Sequence, residues 1–234
     1  MAFGWLKNAF TQAAQEPWEK DRDDFFKAIK KNNVEQVKEI AARYPNEALG
    51  WKTENGSPLY VAHENNRLDA FKALVALGAD INENYTFGKG RGRTPLLRAI
   101  DRKQPEWLEY IASNGGDLNK VHHDCAVASV IVIRYAYTPL SLAIEKGDEK
   151  AVKLLLSKGV DPAAPCYGGT IEKTVELTSL PAAYAESQKQ FKMADMIKRA
   201  VLQKPPVPDA AEATQTASAV GVMQPLKLKK GATP

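Results

Sequence analysis

Three stretches of the chain open with the same pattern: Ser57-Pro-Leu-Tyr-Val-Ala62, Thr94-Pro-Leu-Leu-Arg-Ala99 and Thr138-Pro-Leu-Ser-Leu-Ala143. A hydroxyl residue before a proline favours the start of a helix, because the hydroxyl caps free N–H groups and the proline ring presets the backbone. A glycine follows 21 residues after each Ser or Thr, at Gly78, Gly115 and Gly159, and an aspartate stands two residues further on. The same spacing in three places predicts an internal repeat.

The residues between each hydroxyl and its glycine predict two helices joined by a tight turn. The first helix carries an inner stripe of leucine and small alanine residues. The second has apolar residues at helical spacing, namely Phe71/Leu74/Val75, Leu108/Ile111/Ala112 and Val152/Leu155/Leu156. We expect each glycine to end the second helix in the left-handed conformation.

This pattern resembles the ankyrin repeat, which opens with T-P-L-H-x-A and closes with G-A-D-x-N. Gly78-Ala-Asp-Ile-Asn82 matches the close, Gly115-Gly-Asp-Leu-Asn119 differs at one position, and Gly159-Val-Asp-Pro-Ala163 is looser. Tyr60, Leu97 and Ser141 stand at the family's histidine position. The resemblance implies an all-α repeat solenoid made of stacked helix pairs.

Two weaker repeats flank the three clear ones. Asp23-Asp-Phe-Phe-Lys-Ala28 aligns with the opening and makes Asp23 a predicted N-cap, while Thr178-Ser-Leu-Pro-Ala-Ala183 opens a last repeat. Atypical end repeats cap a solenoid against water. We therefore predict about five repeats over residues 20–202. An amphipathic capping segment over residues 1–19 precedes them, and a disordered tail rich in Pro, Ala and Thr follows over residues 203–234.

Extended β-hairpin loops, which we call fingers, are predicted between the repeats. Successive openings are 37, 44 and 40 residues apart, whereas the family period is about 33. The distance from opening to glycine is constant, so the extra length falls in the fingers. Residues 126–137 and 170–177 are rich in strand-forming residues, and we expect the fingers to pair side by side. The insertions either form a binding face or only pack on each other.

Bulk composition argues against several classes of protein. The net charge of +4 is too small for a dedicated nucleic-acid or membrane surface, and 44% hydrophobic residues are ordinary for a globular chain. The first ten residues lack the basic region and apolar run of a signal peptide. We therefore expect a cytoplasmic protein with no membrane segment, in which the two cysteines, Cys125 and Cys166, are free thiols.

Two polar stretches contain residues that could form a chemical site. His122-His-Asp-Cys125 gathers possible metal ligands, or a Cys/His pair for a small hydrolase, but it has no second ligand cluster and no evident orienting group. Lys89-Gly-Arg-Gly-Arg93 could hold a phosphate or nucleic acid, yet it matches no phosphate-loop signature. We expect no enzyme activity, metal or cofactor, and we expect His63 to be a core residue.

The sequence favours a protein–protein interaction module that is monomeric alone and binds its partner through the fingers and a concave face. The resemblance allows an adaptor, an inhibitor or immunity-type protein, or a secreted effector. Aromatic residues and arginines carry most interface energy, and charged residues beside them complete the predicted site. The candidate partner-binding residues are Tyr85, Phe87, Arg91, Arg93, Arg98, Asp101, Arg102, Arg134, Tyr135, Glu172 and Lys173.

Overall fold

Paired helices follow one another through the chain, for which the computed structural model describes residues 17–54, 56–85, 92–128, 131–170 and 179–203. The first helices of the pairs are α1 (Pro17–Lys30), α3 (Pro58–Glu64), α5 (Pro95–Asp101), α7 (Pro139–Glu145) and α9 (Pro181–Ser187). The second helices are α2 (Val34–Arg43), α4 (Leu68–Ala76), α6 (Pro105–Ser113), α8 (Glu149–Ser157) and α10 (Phe191–Gln203). First helices pack on first helices, as α5 does on α7, and second helices on second helices, as α6 does on α8. This is the predicted solenoid of stacked helix pairs.

The three predicted hydroxyl caps are confirmed. The side chains of Ser57, Thr94 and Thr138 each accept a hydrogen bond from the backbone N–H three residues on, at 3.2, 3.5 and 3.4 Å. At Thr138 the bond is reciprocal, because the Ser141 hydroxyl accepts from the Thr138 N–H at 2.9 Å. Ser141 stands at the family's histidine position, so at this repeat a serine stabilises the helix start through a capping box.

The glycines end the second helices as predicted. Gly78, Gly115 and Gly159 have φ of 101°, 93° and 90°, which a residue with a Cβ adopts only with strain. After Gly78 the N–H of Ala79 donates to the Leu74 carbonyl at 3.0 Å, and Val160 repeats this bond to Leu155 at 3.2 Å. These bonds satisfy carbonyls that the end of the helix leaves free.

Two predicted helix starts are wrong. Helix α1 begins at Pro17, so Asp23 lies inside it and pairs with Arg22 rather than capping. Residues 17–22 contain no helix breaker after the proline at their start, so the helix continues back through them. The first helix of the fifth repeat, α9, begins at Pro181 with Leu180 at the N-cap, and Thr178 lies outside the described residues.

The finger between the third and fourth repeats pairs side by side with the finger between the fourth and fifth repeats, as predicted. Strands β1 (His122–Ala128) and β2 (Ile131–Tyr137) form an antiparallel hairpin, and β3 (Tyr167–Thr170) adds to the other edge of β2. The register places Tyr137 opposite both His122 and Tyr167. Only the base of the preceding finger is described, where Tyr85 and Arg93 are joined by an N–H to carbonyl bond of 3.0 Å.

A ladder of side-chain hydrogen bonds joins the repeats where the second helices end. Asn82 donates to the Gly115 carbonyl at 2.9 Å and accepts from the Asp117 N–H at 2.8 Å. One repeat further on, Asn119 accepts from the Asp161 N–H at 3.4 Å. The asparagine that closes the family pattern therefore connects the second repeat to the third and the third to the fourth.

Aromatic side chains fill the join between the second and third repeats. The His63 imidazole stacks on the Trp107 indole at 4.2 Å between ring centroids, and Phe71 packs edge-on against the same indole at 5.0 Å. The Trp107 N–H donates to the Asn66 side-chain oxygen at 2.9 Å. His63 is 1% exposed, so its prediction as a core residue is confirmed.

The register of the sheet separates the two cysteines. Cys125 lies opposite Arg134 on one edge of β2, whereas Cys166 immediately precedes β3 on the other edge. Cys166 is a free, buried thiol, and burial raises the pKa of that thiol to about 12. The side chain of Cys125 lies outside the described part of the structure.

Candidate functional site

Charged side chains from three consecutive repeats meet along the first helices. Arg98 lies within α5, Asp101 ends it, and Arg102 follows it; Glu64 ends α3, and Lys146 follows α7. Arg93, directly before the Thr94 cap, joins them from the base of a finger. We call these residues the ionic cluster: Glu64, Arg93, Arg98, Asp101, Arg102 and Lys146. Cations at the ends of helices are also favoured by the helix dipole.

Each carboxylate in the ionic cluster serves more than one cation. Glu64 is 2.6 Å from the Arg102 guanidinium and 3.1 Å from that of Arg98. Asp101 accepts a hydrogen bond from the Lys146 ammonium at 2.8 Å and lies 3.7 and 3.8 Å from Arg93 and Arg98. The cluster therefore links the second, third and fourth repeats through shared charges.

The pKa values of both carboxyls reflect this surplus of positive charge. Burial would raise the pKa of Glu64, but the hydrogen bonds and charges of Arg102 and Arg98 outweigh it and hold that pKa below its ordinary value. Burial likewise opposes ionisation of Asp101, and Lys146 and Arg93 outweigh it, so the pKa of Asp101 is also lowered. Both groups are anions at neutral pH.

The base of the fingers is built around Tyr137. The Arg93 guanidinium lies 5.9 Å from the centre of the Tyr137 ring, and the His122 imidazole stacks on this ring. Burial, followed by the charges of Lys120 and Arg93, lowers the pKa of His122 to about 4. His122 is therefore a neutral packing residue that helps to seat Arg93 beside α5.

Comparison with known families matches the repeat region in two parts. One family model, of ankyrin repeats in three copies, covers residues 25–122, and a second, of a single ankyrin repeat, covers residues 136–167. The chain belongs to the ankyrin-repeat family. Ankyrin repeats are generally protein–protein interaction modules, and proteins built from them are typically non-enzymatic.

The similar curated proteins are much longer than the matched region. "Ankyrin repeat and SAM domain-containing protein 6" of Rattus norvegicus is 32% identical over 100 residues, which are 43% of this chain and 11% of that protein. Its Mus musculus counterpart is 31% identical over 100 residues, which are again 43% of this chain and 11% of that protein. "BRCA1-associated RING domain protein 1" of Caenorhabditis elegans is 32% identical over 91 residues, 39% of this chain and 12% of that protein. The likeness thus concerns the ankyrin repeats.

The ankyrin stack brings four predicted site residues together, namely Arg93, Arg98, Asp101 and Arg102. Tyr85 is 1% exposed, and its hydroxyl contacts the buried His63 at 2.9 Å. In this arrangement Tyr85 anchors the base of a finger and is not free to touch a partner. Arg98 is 5% exposed, so it offers little surface to a partner.

The remaining predicted site residues fall at or beyond the limits of the described structure. Arg134 and Tyr135 lie in β2, with side chains outside the described part. Phe87, Arg91, Glu172 and Lys173 lie outside the described residues altogether. Partner contact by the predicted residues other than the buried Tyr85 stays a prediction.

Two members of the ionic cluster, Glu64 and Lys146, were not predicted from the sequence. The repeat spacing carries a signal for both. Seven residues after each opening hydroxyl stands an acid, at Glu64, Asp101 and Glu145, and the next position holds a cation at Arg102 and Lys146. Aligning the ends of the first helices, in addition to their starts, would have found the cluster.

Only part of the stretch that could form a metal or hydrolase site is described, because the side chains of Asp124 and Cys125 lie outside the described part. His122 is buried, while His123 on the same strand is exposed. Among the residues whose side chains the structure describes, no three His, Cys, Asp or Glu side chains gather in a metal-binding group. Among the same residues no helix combines the length and apolar character that crossing a membrane requires.

Proposed function

We propose that this ankyrin-repeat chain binds another protein through its fingers and the adjoining surface of the first helices. The observation that carries the proposal is the ionic cluster, which joins the base of a finger to three successive first helices. The side chains of Arg93, Arg102 and Lys146 keep 22%, 26% and 33% of their surface exposed. A surface that several repeats build together suits the recognition of a partner that spans them.

Guanidinium groups held in place by neighbouring carboxylates support this choice of surface. Arginine loses less freedom on binding when its planar head is already oriented, and it is among the residues that carry most interface energy. Arg102 meets this condition, because Glu64 holds its head and the His63 carbonyl lies 3.4 Å from it. On the second helices Glu149 pairs with lysines and not with arginines, Lys153 at 3.0 Å and Lys192 at 2.9 Å.

Within this proposal the chain acts as an adaptor or as an inhibitor that covers its partner. Both roles need a preformed surface and no chemistry of their own. A second candidate function is binding of nucleic acid or a phosphate ligand through Lys89-Gly-Arg-Gly-Arg93, which rests on the basic and glycine-rich sequence of that loop.

The experiment compares two double variants in pull-downs from the native host, read by quantitative mass spectrometry. Arg91→Ala with Arg93→Ala removes finger arginines, and Lys72→Ala with Lys153→Ala removes as many cations from helices α4 and α8. We expect a partner captured by the wild type to be lost from the finger variant and kept by the control. With that partner purified, the finger variant should bind about 2 kcal/mol more weakly.

The opposite pattern would move the interface to the outer helices. If the lysine variant loses the partner and the finger variant keeps it, the proposed surface is wrong. Thermal unfolding of both variants checks that the stack is intact, because Arg93→Ala also removes the ion pair of Arg93 with Asp101.

A further inference from the structure

We propose that the ionic cluster is a receptor for an acidic segment of a partner protein, in which carboxylates of the partner complete the charge balance of the cluster. This inference deepens the proposed function and rests on it, because it names the chemistry of the partner at the same surface. It is carried by three features: the charge imbalance of the cluster, its unused hydrogen-bond donors and the absence of acids in the adjoining sequence.

The charge imbalance is visible in the ion pairs. Four cations, those of Arg93, Arg98, Arg102 and Lys146, share two carboxylates, those of Glu64 and Asp101. The local net charge is therefore +2, the difference between four positive and two negative groups. Every ion pair among the six lies within 3.8 Å, so the excess charge is confined to one small area.

The hydrogen-bonding capacity of the arginines is also incompletely used. At 3.7 and 3.8 Å, Asp101 attracts Arg93 and Arg98 but is beyond hydrogen-bond distance of both. Within the described part of the chain, Arg93 Nη1 and Arg98 Nε are buried and meet no acceptor. Buried donors without acceptors are costly. A further carboxylate at the edge of the cluster would lower that cost after a small rotation of the side chains.

The finger segment before α5 adds only positive charge. From residue 84 to residue 100 the chain contains Lys89 and Arg91, in addition to Arg93 and Arg98 of the cluster, and no aspartate or glutamate. The whole chain, by contrast, has 32 basic and 28 acidic side chains, which is nearly balanced. The excess of positive charge in this repeat is thus local, and a local excess steers an oppositely charged segment to that place.

The observations favour a protein carboxylate over nucleic acid. A nucleic acid presents a continuous line of phosphates, and Glu64 and Asp101 would repel those that pass over the cluster. Single-stranded nucleic acid also seeks exposed aromatic rings on which bases stack. The aromatic rings beside the cluster in the described structure, those of Tyr60, Tyr85 and Tyr137, are only 7%, 1% and 9% exposed. A short acidic segment can instead place single carboxylates between the cations.

The test uses a fluorescein-labelled peptide of eight glutamates and the full chain, with binding followed by fluorescence anisotropy at low and at physiological salt. Arg102→Gln with Lys146→Gln removes the two most exposed cations of the cluster. Lys72→Gln with Lys153→Gln removes two charges from the outer helices and is the matched control. We expect about a tenfold loss of affinity for the cluster variant and less than about a twofold loss for the control.

The variant Asp101→Asn distinguishes a cluster that binds an acidic partner from a cluster that only stabilises the fold. This change frees Lys146 and removes a competing carboxylate, so we expect the peptide to bind roughly threefold more tightly, even though the fold loses the ion pairs of Asp101 with Lys146, Arg93 and Arg98 and some stability. A cluster that only holds the repeats together predicts no gain in affinity. Thermal unfolding of each variant is measured in parallel, and the single variants Arg102→Gln and Lys146→Gln serve if the double variant does not fold.

Three outcomes would overturn the inference. One is equal loss of affinity in the cluster variant and the control, which would mean nonspecific attraction. Another is an unchanged or weaker affinity of Asp101→Asn. The third is tighter binding of an octamer of deoxythymidine through the same residues, which would make the cluster a nucleic-acid site. If the host pull-down still captures a protein through the fingers while the peptide fails, the proposed function stands and only the acidic partner is wrong.

Discussion

At the scale of single residues, the contacts of His63 hold its side chain in one protonation state. Its Nδ1 lies 2.9 Å from the Tyr85 hydroxyl and its Nε2 lies 3.1 Å from the Gln104 side-chain oxygen. The Gln104 amide nitrogen donates to Asn66, which fixes the amide orientation and makes Nε2 the protonated nitrogen. Burial lowers the pKa of His63 to about 4. A neutral imidazole is therefore built into the core.

This arrangement predicts acid sensitivity. An unfolded histidine takes up its proton near pH 6.5, whereas folded His63 and His122 do so only at about 4. The unfolded state binds more protons between these values, so stability is lost as the pH falls through that window. Between pH 6.5 and 5 His63 should lower the free energy of unfolding by about 2 kcal/mol, and His122 should add a smaller loss. Urea unfolding at both pH values measures this loss.

His63→Gln tests the share that belongs to one residue. We expect the variant to be less stable at pH 7.5, because it loses the stack on Trp107, but to lose about 2 kcal/mol less than the wild type on acidification. His123→Gln, at an exposed position of β1, is the control and should follow the wild type. Equal acid losses in His63→Gln and wild type would show that His63 is not the titrating group.

At the scale of secondary-structure elements, the first helices differ in how they start. Helices α3, α5 and α7 have a hydroxyl cap, whereas Leu180 stands at the N-cap of α9 with no side-chain cap bond. The backbone of Leu180 already has the extended geometry of a cap, with φ −72° and ψ 146°, and its side chain is 51% exposed. The last repeat is therefore capped less well than the central ones.

Leu180→Thr should repair this helix start. A threonine hydroxyl can accept from the backbone N–H three residues on, as Thr138 does, and we expect a gain of about 1 kcal/mol in the free energy of unfolding. Leu180→Ala removes the same exposed side chain without adding a hydroxyl, so the difference between the variants isolates the cap. A threonine variant no more stable than the alanine variant in urea unfolding would rule the explanation out.

These elements also show what the sequence could and could not predict. Caps and glycines were predictable because a single residue type at one position decides the local backbone, as at Thr94 and Gly78. The start of α1 was not, because Pro17 is far from the aligned opening and good helix formers leave no boundary between them. Four of the six residues of the ionic cluster were predicted, namely Arg93, Arg98, Asp101 and Arg102. Their partners Glu64 and Lys146 were not, because they come from neighbouring repeats that only the stack brings close.

At the scale of the whole molecule, each repeat depends on its neighbours. The inter-repeat bonds of Asn82 to Gly115 and Asp117 are short, at 2.9 and 2.8 Å, while the Asn119 to Asp161 bond is longer, at 3.4 Å. At the next step the equivalent residue is Ala163, which has no amide to extend the ladder. The asparagine ladder between repeats therefore weakens toward the C-terminal end.

Under mechanical tension this gradient sets an order of rupture. Because a repeat array is held by nearest-neighbour interfaces, a chain pulled by its ends gives way at its weakest junction first. We expect the fifth repeat to peel off before the others, and the second and third, joined by Asn82 and the Trp107 stack, to part last. Force spectroscopy on the full chain would resolve these steps, and Asn82→Ala should lower the last one while Asn84→Ala leaves it unchanged. The stack would then unfold repeat by repeat, starting from its C-terminal end.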